Sequence, residues 1–312
     1  MSESVKFVPG GVVPACLLPF HDDFSIDEAT LRSHLADVAH VSGVTAITVN
    51  GHASEVSSCT AEEQRRVLEI AVDAIGARTP LVNGIYTESS LEAARLARMS
   101  RDEGAAALLV FPPPLISIGQ RPEMLVDFFQ RIEQASDGLP IVLFQFPLGS
   151  GLSYPLPTLQ RILDEVPSVQ AIKDNCGNPQ LQERQLRLLH ERSPRVSVLT
   201  TQSAWLMASL AIGCDGLLSG MGSVAADLQG QMYRAIREDD LAAARRVQDR
   251  IFPLTEVFYS DPWVDMHNRM KEALVMLGKF PNAVVRPPLM KLSTAETGRI
   301  RQALIAAGML AP

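Results

Sequence analysis

Several features common in other protein classes are scarce in this chain. Its four cysteines, Cys16, Cys59, Cys176 and Cys214, stand far apart and form no Cys-x-x-Cys pair. That spacing argues against a disulfide framework or a zinc knot and fits a reducing compartment. No apolar run approaches the roughly 20 residues that a bilayer-spanning helix needs. The stretch Met1 to Gly11 lacks the basic-then-apolar order of a secretory signal. Basic residues number 28 against 35 acidic ones, for a net charge of −7, and no basic block occurs. A nucleic-acid groove is therefore not expected. Low-complexity tracts and linkers are absent, and no histidines show ligand spacing for a metal. The expectation is a mildly acidic, cytoplasmic protein that works on a small molecule, without metal or cofactor, and without nucleic-acid or membrane partners.

What the chain does have is apolar residues, 46% of the total, in a repeating pattern. Gly11 to Leu18 reads as a strand, and Ile26 to Val41 as a helix capped by Ser25 or Asp27. Val44 to Val49 is a second strand, and Thr60 caps a helix running to about Ile75. Short strands then alternate with helices: Pro80 to Val82, Ser89 to Arg101, Ala106 to Phe111, Glu123 to Gln134, Pro140 to Phe146 and Leu156 to Leu163. The pattern continues through Val169 to Ile172, Pro179 to His190, Val196 to Leu199, Ser203 to Ala211, Gly216 to Leu218 and Val224 to Arg237. Parallel strands need a crossover of helix size, so this alternation predicts a parallel sheet. Eight such units over residues 1–238 predict a (β/α)8 TIM barrel. A doubly wound sheet is the competing architecture, but its first-turn Gly-x-Gly-x-x-Gly is missing. Residues 239–312 carry no strand pattern. Leu241 to Val257, Asp265 to Leu277 and Thr294 to Ala307 read as a C-terminal three-helix extension packed on the barrel.

Active sites of such barrels lie at the carboxyl ends of the strands. Lys173, closing the run Val169-Gln170-Ala171-Ile172, is the only lysine at those positions, and no arginine joins it. A lysine at a strand end also serves simply to snorkel, or to pair with its neighbour Asp174. In apolar surroundings its amine loses basicity and becomes a nucleophile toward carbonyls. Phe111, Pro113 and Phe144 are expected to supply those surroundings. Ser219-Gly220-Met221-Gly222-Ser223-Val224-Ala225 imitates a dinucleotide fingerprint, but it follows the eighth strand rather than the first. Its glycines are instead expected to let a substrate approach the backbone near a helix start. Trp205 and the Met-rich helices read as core or subunit contact.

These strand ends resemble those of the dihydrodipicolinate synthase / N-acetylneuraminate lyase family. Leu18-Pro19-Phe20 resembles its first strand end. Gly51-His52-Ala53-Ser54-Glu55 stands where the family has Gly-Thr-Thr-Gly-Glu or similar. Phe144-Gln145-Phe146-Pro147 stands where Tyr-Asn-x-Pro is usual, and Ala171-Ile172-Lys173-Asp174 where Gly-x-Lys-Glu/Asp is usual. Val285-Arg286-Pro287-Pro288 is similar to a common Arg-x-Pro stretch. The resemblance implies that Lys173 forms a Schiff base with a 2-keto acid such as pyruvate, and that the chain assembles as a dimer or tetramer.

Three departures matter. The proton-shuttling tyrosine is Phe144, the Thr-Thr pair is His52-Ala53, and the tyrosine after the fourth strand is lost within Pro112-Pro113-Pro114. The arginine that binds a substrate carboxylate in dihydrodipicolinate synthases is also missing from Leu148-Gly149-Ser150-Gly151, which argues against that synthesis. His52 is the first candidate for acid–base work, since imidazole titrates near neutrality. Tyr86 is the second. Glu55 is read as bracing its loop, and Asp174 as tuning Lys173. Gly51, Ala53 and Ser54 are expected to hold the carboxylate, with Phe144, Gln145, Ser219 and Gly220 also contacting substrate. Pro113, Pro114, Leu115, Phe144 and Leu148 are expected to form an apolar rim. His21, His34, His40, His190 and His267 read as surface or helix-face residues. The function expected is a class I lyase on a 2-keto acid, by aldol reaction or dehydration. The rival is a 2-keto-acid sensor that kept the barrel without catalysis.

Overall fold

The computed structural model describes residues 7–312. Strands and helices alternate as β1 (Gly11–Pro14), α1 (Glu28–Ala39), β2 (Ile47–Val49), α2 (Ala61–Ala71), β3 (Leu81–Ile85), α3 (Ser90–Asp102), β4 (Ala107–Val110) and α4 (Pro122–Ala135). They continue as β5 (Ile141–Gln145), α5 (Leu156–Glu165), β6 (Val169–Asp174), α6 (Pro179–His190), β7 (Ser197–Thr200), α7 (Leu206–Ala211), β8 (Gly216–Ser219) and α8 (Gly222–Arg237). The strands pair in parallel in the order β1-β8-β7-β6-β5-β4-β3-β2. Single bridges, Val12 to Val44 and Ala15 to Thr48, link β1 to β2, so the barrel is nearly closed. This is the (β/α)8 TIM barrel.

Local chemistry explains the units. The strands are almost entirely apolar and buried, as parallel strands covered on both faces must be. Asp27 caps α1, accepting from the Thr30 N–H at 3.0 Å. Thr60 and Glu63 form a reciprocal capping box at the start of α2. Three elements are clearly shorter than the sequence predicts. The first strand ends at Pro14 rather than Leu18, since Ala15 makes only the bridge to Thr48. The second strand narrows to Ile47–Val49, since Val44 makes only the bridge to Val12. The seventh helix begins as a tight turn over Ser203–Trp205, because Trp205 leaves helical geometry at φ −133° and ψ 40°.

Three further helices follow, α9 (Leu241–Phe258), α10 (Met266–Met276) and α11 (Thr294–Ala306). α9 packs on α8, and α11 on α9 and α10. Arg269, fully buried in α10, ties them together. Its guanidinium donates to the Ser260 carbonyl at 2.6 Å, and at longer range to the Phe258 and Asp261 carbonyls and to Glu296 of α11. No helix among the described residues is long and apolar enough to cross a membrane.

Candidate active site

At the carboxyl ends of the strands lies a cavity of about 370 Å³. Barrel residues Ala15, His52, Ala53, Phe144, Lys173, Asn175 and Gly220 form one part of its wall. Tyr259, Trp263, Met266, His267 and Met270, from the end of α9 through α10, form another. The extension thus builds part of the site as well as bracing the barrel.

Strand parity decides which side chains enter. Phe144 pairs with Lys173 and Gln145 with Asp174 across β5 and β6. Successive side chains point to opposite faces, so Lys173 and Phe144 face the cavity together. Lys173 is only 4% exposed, and its Nζ lies 4.0 Å from the centre of the Phe144 ring. Phe144 is itself packed against Phe111 and Phe146, at 5.2 and 4.4 Å between ring centres. Burial in this aromatic setting lowers the Lys173 pKa to about 7. Asp174 points the other way, toward the helices. It accepts from Gln182 at 2.7 Å, and burial holds its carboxyl above the usual carboxylate range. Desolvation alone accounts for the Lys173 shift, so the expected tuning by Asp174 is not found.

The loop carrying His52 is framed by two residues in left-handed conformation, Asn50 and Glu55, both at φ 52°. Asn50 donates to the Gln64 carbonyl and to Asn83, which fixes the start of the loop. Glu55 is buried and bonds Lys271 of α10 at 2.5 Å and the Arg286 N–H at 3.0 Å, which fixes its end. Between them the His52 ring meets His267 edge to face, 4.6 Å between centres, with Trp263 at 6.2 Å. Burial, reinforced by the Lys173 charge, lowers the His52 pKa to about 4. Burial also depresses His267, with His52, Lys271 and Lys173 acting in the same direction. Both rings are therefore neutral near pH 7.

Several residues expected in the site lie elsewhere. Gln145 is spent on the helix side, donating to the Tyr154 carbonyl at 2.9 Å and to Gln185 at 3.1 Å. The Ser54 hydroxyl donates to the Cys16 carbonyl, and its N–H to Gly51, so neither reaches a ligand. Gly51 does not line the cavity, and a side chain there would face Thr48 and Ala15. The Ser219 hydroxyl accepts from the Met221 N–H. Tyr86 does not line the cavity and packs edge to face on Phe111 at 5.4 Å. Of the expected rim only Phe144 lines the cavity. Pro113 and Leu115 border a separate hollow with Met124 and Leu125, and Leu148 lies exposed. In the glycine-rich turn Gly220 borders the cavity, whereas Gly222 is packed against Pro14 and Gln229, where a side chain would collide. His34 and His267 are buried rather than superficial. His34 bonds the Ser223 hydroxyl.

Tyr259, Trp263, Met266, His267 and Met270 carry no motif by which the sequence alone marks them for the site. The one available signal was the aromatic and proline-broken stretch around Tyr259 and Trp263, since loops carry function more often than helix interiors. Burial raises the Tyr259 hydroxyl pKa, against the opposing pull of Ser203, Ser219 and the Met221 backbone.

Fold and site together describe a (β/α)8 barrel with the buried amine of Lys173 in the cavity wall at the carboxyl ends of its strands. A sequence model of the Dihydrodipicolinate synthetase family matches residues 8–307, and the chain belongs to that family. It is similar to the 4-hydroxy-tetrahydrodipicolinate synthase of Dechloromonas aromatica (strain RCB), 30% identical over 302 residues, covering 96% of this chain and 99% of that one. It is also similar to the probable 2-dehydro-3-deoxy-D-pentonate aldolase YjhH of Escherichia coli (strain K12), 25% identical over 301 residues, covering 96% and 98%. Among solved structures, YagE from E. coli K12 in complex with pyruvate superposes with a TM-score of 0.88 at 22% identity, covering 97% of this chain and 100% of that one. At that identity the superposition speaks for the fold.

Proposed function

We propose that this protein is a Schiff-base-forming lyase that acts on a 2-keto acid, by aldol cleavage or condensation with pyruvate or by dehydration. The observation that carries this reading is Lys173, a buried amine with a pKa near 7, facing a cavity whose wall holds no other lysine or arginine among the described residues. Its neutral amine attacks the C2 carbonyl, and the carbinolamine takes up a proton from solvent and loses water, leaving a protonated imine. That imine accepts the electron pair when a C3–H or C3–C bond breaks. In the condensing direction the enamine C3 bonds to an aldehyde carbon, the resulting alkoxide takes a proton, and water releases the product from Lys173.

Ala53 borders the cavity, and the backbone N–H groups at the start of the His52 turn suit the substrate carboxylate. His52 is the proton-moving group. A substrate with a second carboxylate finds no second cation among the described residues of the wall, and burying an unpaired carboxylate is costly. This disfavours dihydrodipicolinate synthesis and favours an aldolase or dehydratase, in line with the aldolase name of the E. coli relative.

Treatment with pyruvate and borohydride tests the reading. The expected result is a reduced pyruvate adduct on Lys173, seen by intact mass and peptide mapping and absent from Lys173→Ala. An unmodified wild-type protein would refute the mechanism. The second reading, a 2-keto-acid-binding protein without turnover, is favoured by Phe144, whose ring carries no proton. Trapping without turnover across a panel of 2-keto acids selects it.

A further inference from the structure

Phe144 is the ring nearest the Lys173 amine, and a phenyl group moves no proton. Proton transfer at the substrate therefore rests on groups across the cavity. The two histidines there differ from most others in the chain. His34, His40 and His190 are each hydrogen-bonded to protein. No hydrogen bond joins the His52 or His267 ring to any described residue. Their nitrogens are free for substrate or water, beside the nucleophile.

We propose that His267 is the positioning residue for His52, and that its ring, with Trp263, forms an aromatic cradle for the positive charge His52 acquires when it takes a proton from substrate. The proposal rests on the Schiff-base reading above. In the step concerned, the C3–H bond of the pyruvate imine breaks and its electron pair moves through C2 onto the imine nitrogen, giving a neutral enamine. The proton goes to a free imidazole nitrogen of His52. Positive charge leaves the imine as it arrives on His52, so the net charge of the cavity is unchanged. A buried site of low polarity tolerates such a transfer far better than the creation of a new charge.

Two π systems flank His52, His267 at 4.6 Å and Trp263 at 6.2 Å between ring centres. Cations are drawn to aromatic rings within about 6 Å; His267, packed edge to face on His52, is inside that range, and the tilted Trp263 ring stands at its limit. In the resting site burial, reinforced by the Lys173 charge, holds His52 neutral. Conversion of the imine to the enamine removes that charge when His52 must become basic. The geometry is held at two points on one helix face. His267 meets His52 while Lys271, one turn on, pairs with Glu55 at the end of the same loop.

Exchange of the pyruvate methyl protons in D2O, followed by proton NMR, reads this step without any second substrate. Borohydride trapping in the same samples reads the imine. Wild type should trap and exchange. His52→Ala should trap normally and exchange roughly a hundredfold more slowly. His267→Ala should also trap normally and exchange about tenfold more slowly, while His267→Phe, which keeps a ring, should return to within about threefold of wild type. The inference is overturned if His267→Ala exchanges at the wild-type rate, or if His267→Phe is as slow as His267→Ala. It also falls if wild type traps pyruvate without exchange, which leaves the imine reading standing. A wild type that neither traps nor exchanges removes both.

Discussion

Lys173 gives up stability for reactivity. Its pKa falls from 10.5 to about 7 on folding, through burial alone. Below pH 7 both folded and unfolded chains hold the proton, and the folded state bears the full cost of a buried ammonium. Between pH 7 and 10.5 the unfolded chain binds more protons, so this group's contribution to stability rises with pH across that window. Lys173→Met should therefore be more stable than wild type at pH 6, by on the order of a few kcal/mol, with the difference shrinking toward pH 10. Urea denaturation at the two pH values checks this, and an equal difference at both would contradict it. Imine trapping should rise with pH and level off above about 7, where an ordinary lysine would keep gaining to beyond 10. The placement of Lys173 in the cavity wall was legible because it ends the sixth of eight strands, where a barrel opens its site, and not from the strand end alone. Gln145 was misplaced because a shift of one residue changes the face of a strand, and its tip shows little alternation from which to read parity.

At the scale of elements, the loop after β2 and the helix α10 form one device. Glu55 and Lys271 are 4% and 0% exposed in their side chains and bond at 2.5 Å. The Lys271 ammonium also lies 4.3 Å from the Phe20 ring, with the Arg286 guanidinium 4.4 Å from the same ring. Burial lowers the Lys271 pKa, and Glu55 works against that shift. Removing one partner of such a pair leaves a buried charge alone, which costs about 3–5 kcal/mol. Lys271→Met should lose about that much, measured by urea denaturation, and Glu55→Gln combined with Lys271→Met should recover part of it. A double variant no better than the sum of the singles would mean the two residues act independently. Glu55 was legible as a brace, but its partner was not. The two meet only in the folded barrel, and neither periodicity nor a motif connects positions 55 and 271.

The barrel was legible at the scale of the whole chain because eight apolar runs alternate with amphipathic helices, and parallel pairing leaves few ways to connect them. The role of the last three helices was not. An amphipathic pattern shows that a helix face is covered, never by what. In the structure Leu254, Phe258, Met270 and Leu274 are buried, and α9 packs directly on α8 of the barrel. Arg269 is fully buried, and the same segment lines the cavity around Lys173. Such shared burial argues that the barrel over 1–238 and the extension packed on it unfold as one cooperative unit. The chain's two tryptophans test this, since Trp205 lies between β7 and α7 and Trp263 between α9 and α10. In Trp263→Phe the fluorescence reports the barrel, and in Trp205→Phe it reports the extension. If the two regions unfold together, each variant's fluorescence midpoint in urea should coincide with its own far-ultraviolet circular dichroism midpoint. An extension that melts first would instead show an early fluorescence transition in Trp205→Phe, well before most helix is lost, and the proposed histidine pair would then rest on a part able to detach from the barrel.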